Sequence, residues 1–329
     1  MRAVAIKSFG GPENLAACQM PDPQPEVGEV TIDVEYAGVN YLELMFRRGF
    51  VAVPLPFVPG IEVAGHIRAV GEGVTDLQVG QPVAALTIVG QGGYAEVVRS
   101  PAALTFALDT LARPVDLAAA AAFPCTMITA YLVLSAAARF TPGDAVLVHA
   151  AAGGLGSALG QVARRLGAGQ VLGTVGSPDK IAYAQAHGYD RVFLREHYRE
   201  AVIAATGGAG VQIVVDPVGG NLRDESLEVL SVLGQLIVLG NAGNGEDTFQ
   251  STNGLWLSSK GVQGFNLLAV CLQAPEKIKD AARRVLEWIA RDELHVPISG
   301  VLPLEAADEA HRRIEQRTTT GKLVLKIGR

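Results

Sequence analysis

Apolar and polar positions alternate along Glu29-Val30-Thr31-Ile32-Asp33-Val34-Glu35, the period of two expected of a strand buried on one face. Short β-branched runs of this kind continue from residue 1 to about 115. Gly28, Gly38, Gly60, Gly65, Gly71, Gly73, Gly80 and the pair Gly92-Gly93 break them at close intervals. Such punctuation predicts turns between short strands, and a small all-β barrel is their simplest assembly.

Near residue 117 the texture changes: Asp116 is followed by Leu117 and a run of alanines to Ala122, and a helical stretch covers 127–138. Beyond it, apolar runs at 145–149, 171–175, 191–194, 211–216, 235–240 and 262–265 read as strands. The segments 155–166, 178–187, 198–206 and 222–233 read as helices. Strands that are apolar throughout and separated by helices predict a parallel sheet covered on both faces. A helix near 278–291, a Pro-containing segment 296–304, a helix 305–316 and a strand 322–327 complete the chain. This tail is expected to return to the first domain. The expected class is therefore α/β, with a discontinuous barrel domain of residues 1–118 and 266–329 and a doubly wound domain of residues 119–265.

A chain of 329 residues, 49% hydrophobic and 18% charged, can order more than one core, which excludes disorder and agrees with two domains. The net charge of −6, without any Lys/Arg block, lacks the footprint of a nucleic-acid binder and points to small-molecule partners. Cys18, Cys125 and Cys271 are too sparse for a disulfide framework or a Cys-rich zinc site, which fits a reducing cytoplasm. The opening residues MRAVAIKSFGGPENL lack the apolar core of a secretory signal, and the alanine run is too short to span a bilayer.

One segment carries chemistry. Ala145 to Gly156 places an apolar strand before a glycine-rich turn, His149-Ala150-Ala151-Ala152-Gly153-Gly154-Leu155-Gly156, and a helix. Glycine lets the backbone bend tightly and touch a pyrophosphate, whose charge then sits at the helix N-terminus. Ala152, Gly153, Gly154, Leu155 and Gly156 are the expected cofactor contacts. An acid at the end of the second strand would bind the ribose hydroxyls of NAD. Here that strand ends in Gly176-Ser177-Pro178-Asp179-Lys180, where Ser177 and Lys180 suit the 2′-phosphate of NADPH and Asp179 falls in the first turn of the next helix.

The whole chain resembles the zinc-independent quinone oxidoreductases, the zeta-crystallin-like branch of the medium-chain dehydrogenase/reductases. The resemblance is carried by Phe9-Gly10-Gly11-Pro12-Glu13, Ala37-Gly38-Val39-Asn40-Tyr41, Pro59 to Gly65, Val70 to Val74, the His149–Gly156 turn, Asp216-Pro217-Val218-Gly219-Gly220 and Gly321-Lys322-Leu323-Val324-Leu325. It implies a GroES-like β-barrel catalytic domain, a Rossmann domain and a homodimer joined edge to edge through the 262–265 strand. Zinc-dependent relatives hold the catalytic metal with two cysteines and a histidine. The matching positions here are Asn40, Ile61 and Cys125, and isoleucine has no electron pair to donate, so no metal is expected. Cys125 reads better as a small apolar residue.

Without a Lewis acid, reduction of an electron-poor acceptor remains feasible. The resemblance implies Asn40 as the group that holds the acceptor oxygen or the nicotinamide, then Tyr41 and Thr129. It further implies Arg195 and Lys322 as cofactor contacts, Arg195 standing where relatives commonly carry a tyrosine. Asn241 follows the fifth strand at its C-terminal end, where open α/β sheets place ligands, and reads as a cofactor contact or a turn residue. Met45 and Ile61 replace a tyrosine and a threonine, which makes the pocket more apolar. Glu62 reads as structural, His149 as steering its loop, and His66, His187, His295 and His311 as bystanders. Three functions stay open: hydride transfer to a quinone, reduction of the C=C bond of an enone, enal or enoyl thioester, and crystallin-like NADPH binding without turnover.

Overall fold

The computed structural model describes residues 1–328. It divides into two compact units, Met1–Ile128 with Leu267–Arg329, of which Arg329 lies outside the described residues, and Thr129–Asn266. The composition changes near residue 118 but the unit changes ten residues later, because the alanine-rich helix Leu117–Ala122 packs on strands of the first unit.

In the first unit β1 (Arg2–Ile6) and β2 (Leu15–Gln19) form an antiparallel pair. β3 (Glu29–Val39) is central to a larger sheet, taking β4 (Glu62–Val70) and β6 (Val97–Pro101) as antiparallel neighbours. β5 (Pro82–Leu86) extends from β4, and β7 (Thr105–Ala107) from β5. Having several partners, β3 buries Thr31 as well as Val30, Ile32 and Val34.

The reading of this region as strands and turns missed one helix, α1 (Tyr41–Arg48). Glu43, third in the helix, accepts the Asn40 N–H, Arg47 and Arg48 occupy the last turn, and Gly49 ends it with a left-handed φ of 79°. Those are ordinary helix-terminating signals, and a close reading for caps would have found them.

The second unit holds six strands, β8 (Ala145–Val148), β9 (Gln170–Val175), β10 (Arg191–Leu194), β11 (Val211–Asp216), β12 (Leu230–Val238) and β13 (Gly261–Gly264), all parallel in the order β10-β9-β8-β11-β12-β13. The strand order reverses between β8 and β11, and doubly wound sheets bind ligands outside the carboxyl ends of strands at such a switch point. The helix expected over 222–233 stops at Glu228. Leu230 already pairs with Val211, and a register shift before Ile213 lets Val232 and Leu233 bulge into solvent. Leu233 sits at a φ of 65°, which no helix continues. The helix expected over 178–187 is a 3₁₀ turn, Pro178–Lys180, followed by Ile181–Gln185.

The tail rejoins the first unit. β14 (Ile298–Pro303) runs parallel to β15 (Lys322–Lys326), and β15 lies antiparallel on β3 with Leu323 opposite Val39. That pairing places Lys322 beside the start of α1.

Candidate active site

The glycine-rich turn leads from β8 into the helix Gly154–Arg165. Ala150 turns the chain at a φ of 54°, and a Cβ on Gly156 would lie 2.3 Å from the Ala150 carbonyl oxygen, so only glycine fits there. Gly153 at the N-cap has no side chain to cap the helix, which leaves its first N–H groups for an anion. Behind the turn, His149 is fully buried. Its Nδ1 lies 2.8 Å from the Thr174 hydroxyl on β9 and its Nε2 2.9 Å from Ser226 on the helix Leu222–Glu228. Burial, with the charge of Arg195 nearby, pushes the imidazole down to about 3, so the ring is a neutral strut tying three elements together. Neither Thr174 nor Ser226 carries a sequence signal for this role.

Leu194 pairs with Val175, so Arg195 and Gly176 leave the sheet side by side at the ends of β10 and β9. Arg195 is thereby brought beside Gly176 and Ser177, Lys180 follows at the end of the turn Pro178–Lys180, and no carboxylate stands on the end of β9. Asp179 is exposed, and the Ser177 hydroxyl donates to it and holds its carboxyl below the ordinary range. That hydroxyl is thus already shared, a contact that sequence reasoning did not include.

Past β12, Asn241 donates from Nδ2 to the Gly245 carbonyl at 2.9 Å, while its buried Oδ1 meets no donor among the described residues. A buried acceptor without a donor is costly, and a ligand N–H or O–H would relieve it. The neighbouring turn is held by Asp216, which accepts the N–H groups of Val218 at 2.7 Å and Gly219 at 3.0 Å.

In the first unit Asn40, Glu62 and Lys322 form one buried cluster. Asn40 donates from Nδ2 to Glu62 Oε1 at 2.9 Å, and its Oδ1 accepts from Lys322 Nζ at 2.7 Å. Lys322 also donates to Glu62 Oε1 at 2.6 Å and to the Val39 carbonyl at 2.9 Å. An ammonium has three N–H bonds, and these acceptors engage all of them. In this structure the Lys322 N–H bonds go to Asn40, Val39 and Glu62, so Lys322 orients the Asn40 amide. One Asn40 Nδ2 hydrogen stays unassigned. The other Glu62 oxygen accepts the Cys125 N–H at 2.7 Å, so Glu62 braces two of the three positions where zinc relatives carry ligands. Burial and the Glu62 carboxylate push the Cys125 thiol well above its ordinary value. Tyr41 follows Asn40 and its hydroxyl accepts from Arg48 at 3.3 Å. Thr129 is buried in the helix Pro124–Leu132 and belongs to the second unit.

Residues 26–110 match the family model described as alcohol dehydrogenase GroES-like domain, and residues 187–325 match the model described as zinc-binding dehydrogenase. The human quinone oxidoreductase is 32% identical over 99% of this chain and 98% of its own length. The chain belongs to the zinc-independent quinone oxidoreductase branch of the medium-chain dehydrogenase/reductases. Another relative is the human synaptic vesicle membrane protein VAT-1 homolog-like, 29% identical over 99% of this chain and 81% of that protein. Among solved structures, Escherichia coli quinone oxidoreductase complexed with NADPH superposes with a TM-score of 0.90 at 28% identity, covering 99% of this chain and all of that one. As a quinone oxidoreductase family member this chain is an oxidoreductase with a GroES-like unit and a Rossmann unit. The word zinc in the second model's description does not extend to this corner, where Asn40, Ile61 and Cys125 offer a single thiol and the Lys322 ammonium already sits on Glu62. Among the described residues no helix is long and apolar enough to cross a membrane.

Proposed function

We propose that the chain is an NADPH-dependent reductase that transfers a hydride to a quinone. The observation that carries the cofactor reading is the exit of β9 and β10, where the register sets Arg195 beside Gly176-Ser177, Lys180 follows in the next turn, and no acid ends the strand. The glycine turn at 153–156 and the Asn241 oxygen without a donor fit the same ligand, and solved relatives are described as complexed with NADPH.

When bound, NADPH supplies the hydride. The N-terminus of Gly154–Arg165 holds the pyrophosphate, Lys180 and Arg195 pair with the 2′-phosphate, and Asn241 accepts from the cofactor. Asn40, its amide locked by Glu62 and Lys322, turns its remaining N–H to the acceptor oxygen as negative charge develops there. Tyr41, next to Asn40, is the second candidate of the first unit for an acceptor contact, and Thr129 is the candidate of the second unit. One hydride and one proton from water convert the quinone to the hydroquinone.

Relatives named quinone oxidoreductase support this acceptor. Reduction of an activated C=C bond is the second reading, favoured by the apolar Ile61 and the half-buried Met45 where the family can carry hydroxyl groups. NADPH oxidation measured with 1,4-benzoquinone, 2-cyclohexenone and a crotonyl thioester tests the choice. Turnover confined to the quinone supports the first reading, and turnover confined to the other two replaces it with the second.

We also propose that the chain acts as a homodimer in a reducing cytoplasm. β13 is the last strand of its sheet, and Trp256 and Leu257 just before it are 73% and 75% exposed.

A further inference from the structure

Glu43 does for the main chain of Asn40 what Glu62 does for its side chain. Glu43 is fully buried; its Oε2 accepts the Asn40 N–H and its Oε1 the Ile61 N–H at 3.1 Å. A third group reaches it, the Tyr94 hydroxyl, 3.4 Å from Oε2. Behind Tyr94, the hydroxyl oxygen lies 3.2 Å from His311 Nε2, and His311 Nδ1 lies 3.3 Å from Arg47 Nε.

The direction of this series follows by elimination. A guanidinium only donates, so His311 Nδ1 accepts and carries no hydrogen. Burial beside Arg47 and Arg48 pushes the imidazole down to about 3, so the ring is neutral and its one hydrogen is on Nε2. Nε2–H donates to the Tyr94 oxygen, and the Tyr94 hydrogen is free to point at Glu43. Arg47 is itself anchored on Glu315, which also binds Arg48 at 2.8 Å. Tyr94, His311 and Arg47 are wholly buried, and nothing in the proposed reaction uses them.

We propose that Tyr94 and His311 are positioning residues: acting through Glu43, they fix the main chain of Asn40 and so the direction in which its amide points. The inference rests on the role proposed for Asn40 above. Removing the Tyr94 hydroxyl withdraws a donor from the buried Glu43 carboxyl group, and Glu43 then re-forms its bonds to Asn40 and Ile61.

The test has two readouts, one of which needs no turnover. The chain has seven asparagines, so protein labelled with ¹⁵N at asparagine alone gives a sparse amide spectrum, in which loss of a pair in Asn40→Ser identifies the Asn40 side chain. In the apo protein, Tyr94→Phe is expected to shift that pair and leave those of the second-unit residues Asn221, Asn241, Asn244 and Asn253 in place. With NADPH bound, single-turnover hydride transfer to 1,4-benzoquinone is expected to fall about tenfold at unchanged NADPH affinity. His311→Gln gives the same pattern and decides the matter if Tyr94→Phe does not fold. An Asn40 pair unmoved in the folded variants overturns the proposal, as does an equal shift of every pair. Failure of the wild-type protein to oxidise NADPH overturns the functional reading instead, while the apo spectrum still tests the link.

Discussion

Lys322 Nζ lies 2.6 Å from Glu62 Oε1, and both side chains are almost wholly removed from solvent. Each charge is stable there because the other is present, and removing one leaves its partner unpaired in a poorly solvating interior. Lys322→Met is therefore expected to lower the unfolding free energy by about 3–5 kcal/mol, measured by urea denaturation, and to free the Asn40 amide. A change below about 1 kcal/mol would show that the pair is not buried as described.

Lys180→Ala is expected to weaken NADPH by about tenfold or more while NADH binding stays nearly constant, because only NADPH carries the 2′-phosphate. Fluorescence titration with both nucleotides measures the two constants. Equal losses would remove Lys180 from the phosphate site.

How much of this was open to reading in the chain depends on distance along it. The phosphate turn was legible because its glycines answer a local demand, shown by Gly156 against the Ala150 carbonyl. The helix after Asn40 was legible in principle, through Glu43 and Gly49, but the β-rich surroundings masked it. The 222–233 segment misled because Val229, Leu230, Val232 and Leu233 prolong an apolar run that packing converts into a bulged strand. The pairing of Lys322 with Glu62, 260 residues away, and of His311 with Tyr94, 217 residues away, has no local signature; only β15 docking on β3 and the helix Ala307–Glu315 bring them together.

Acid should destabilise the protein through His149 and His311. Both are pushed down to about 3 from 6.5, mainly by burial. Between those values the unfolded chain binds a proton that the folded ring refuses. Stability is thus fully present above pH 6.5 and falls toward pH 3, by about 1.4 kcal/mol per pH unit for each ring. Glu43 acts in the opposite sense: burial pushes it up to about 8 from 4.5, so its share is fully present below 4.5 and is lost as pH rises to 8. Urea midpoints of wild type and Glu43→Gln at pH 5 and pH 8 measure this. The variant should lose less on going to pH 8, and a parallel pair of curves contradicts it.

The exposed edge at β13 is expected to join two copies of the chain. Phe265 donates its N–H to Val238 on β12, so the Gln263 N–H also faces inward and Val262 presents its N–H to the edge. Val262→Pro removes that edge N–H and blocks strand pairing, so sedimentation should change from dimer to monomer. A wild-type monomer would rule out this interface.

The most direct measurement follows NADPH absorbance at 340 nm in a stopped-flow instrument, with purified wild-type protein, NADPH or NADH, and 1,4-benzoquinone. The expected result is one NADPH consumed per hydroquinone formed, with NADH much slower at the same concentration. Binding of NADPH without its oxidation, across quinone, enone and enoyl thioester alike, would contradict a reductase and leave only a nucleotide-binding protein.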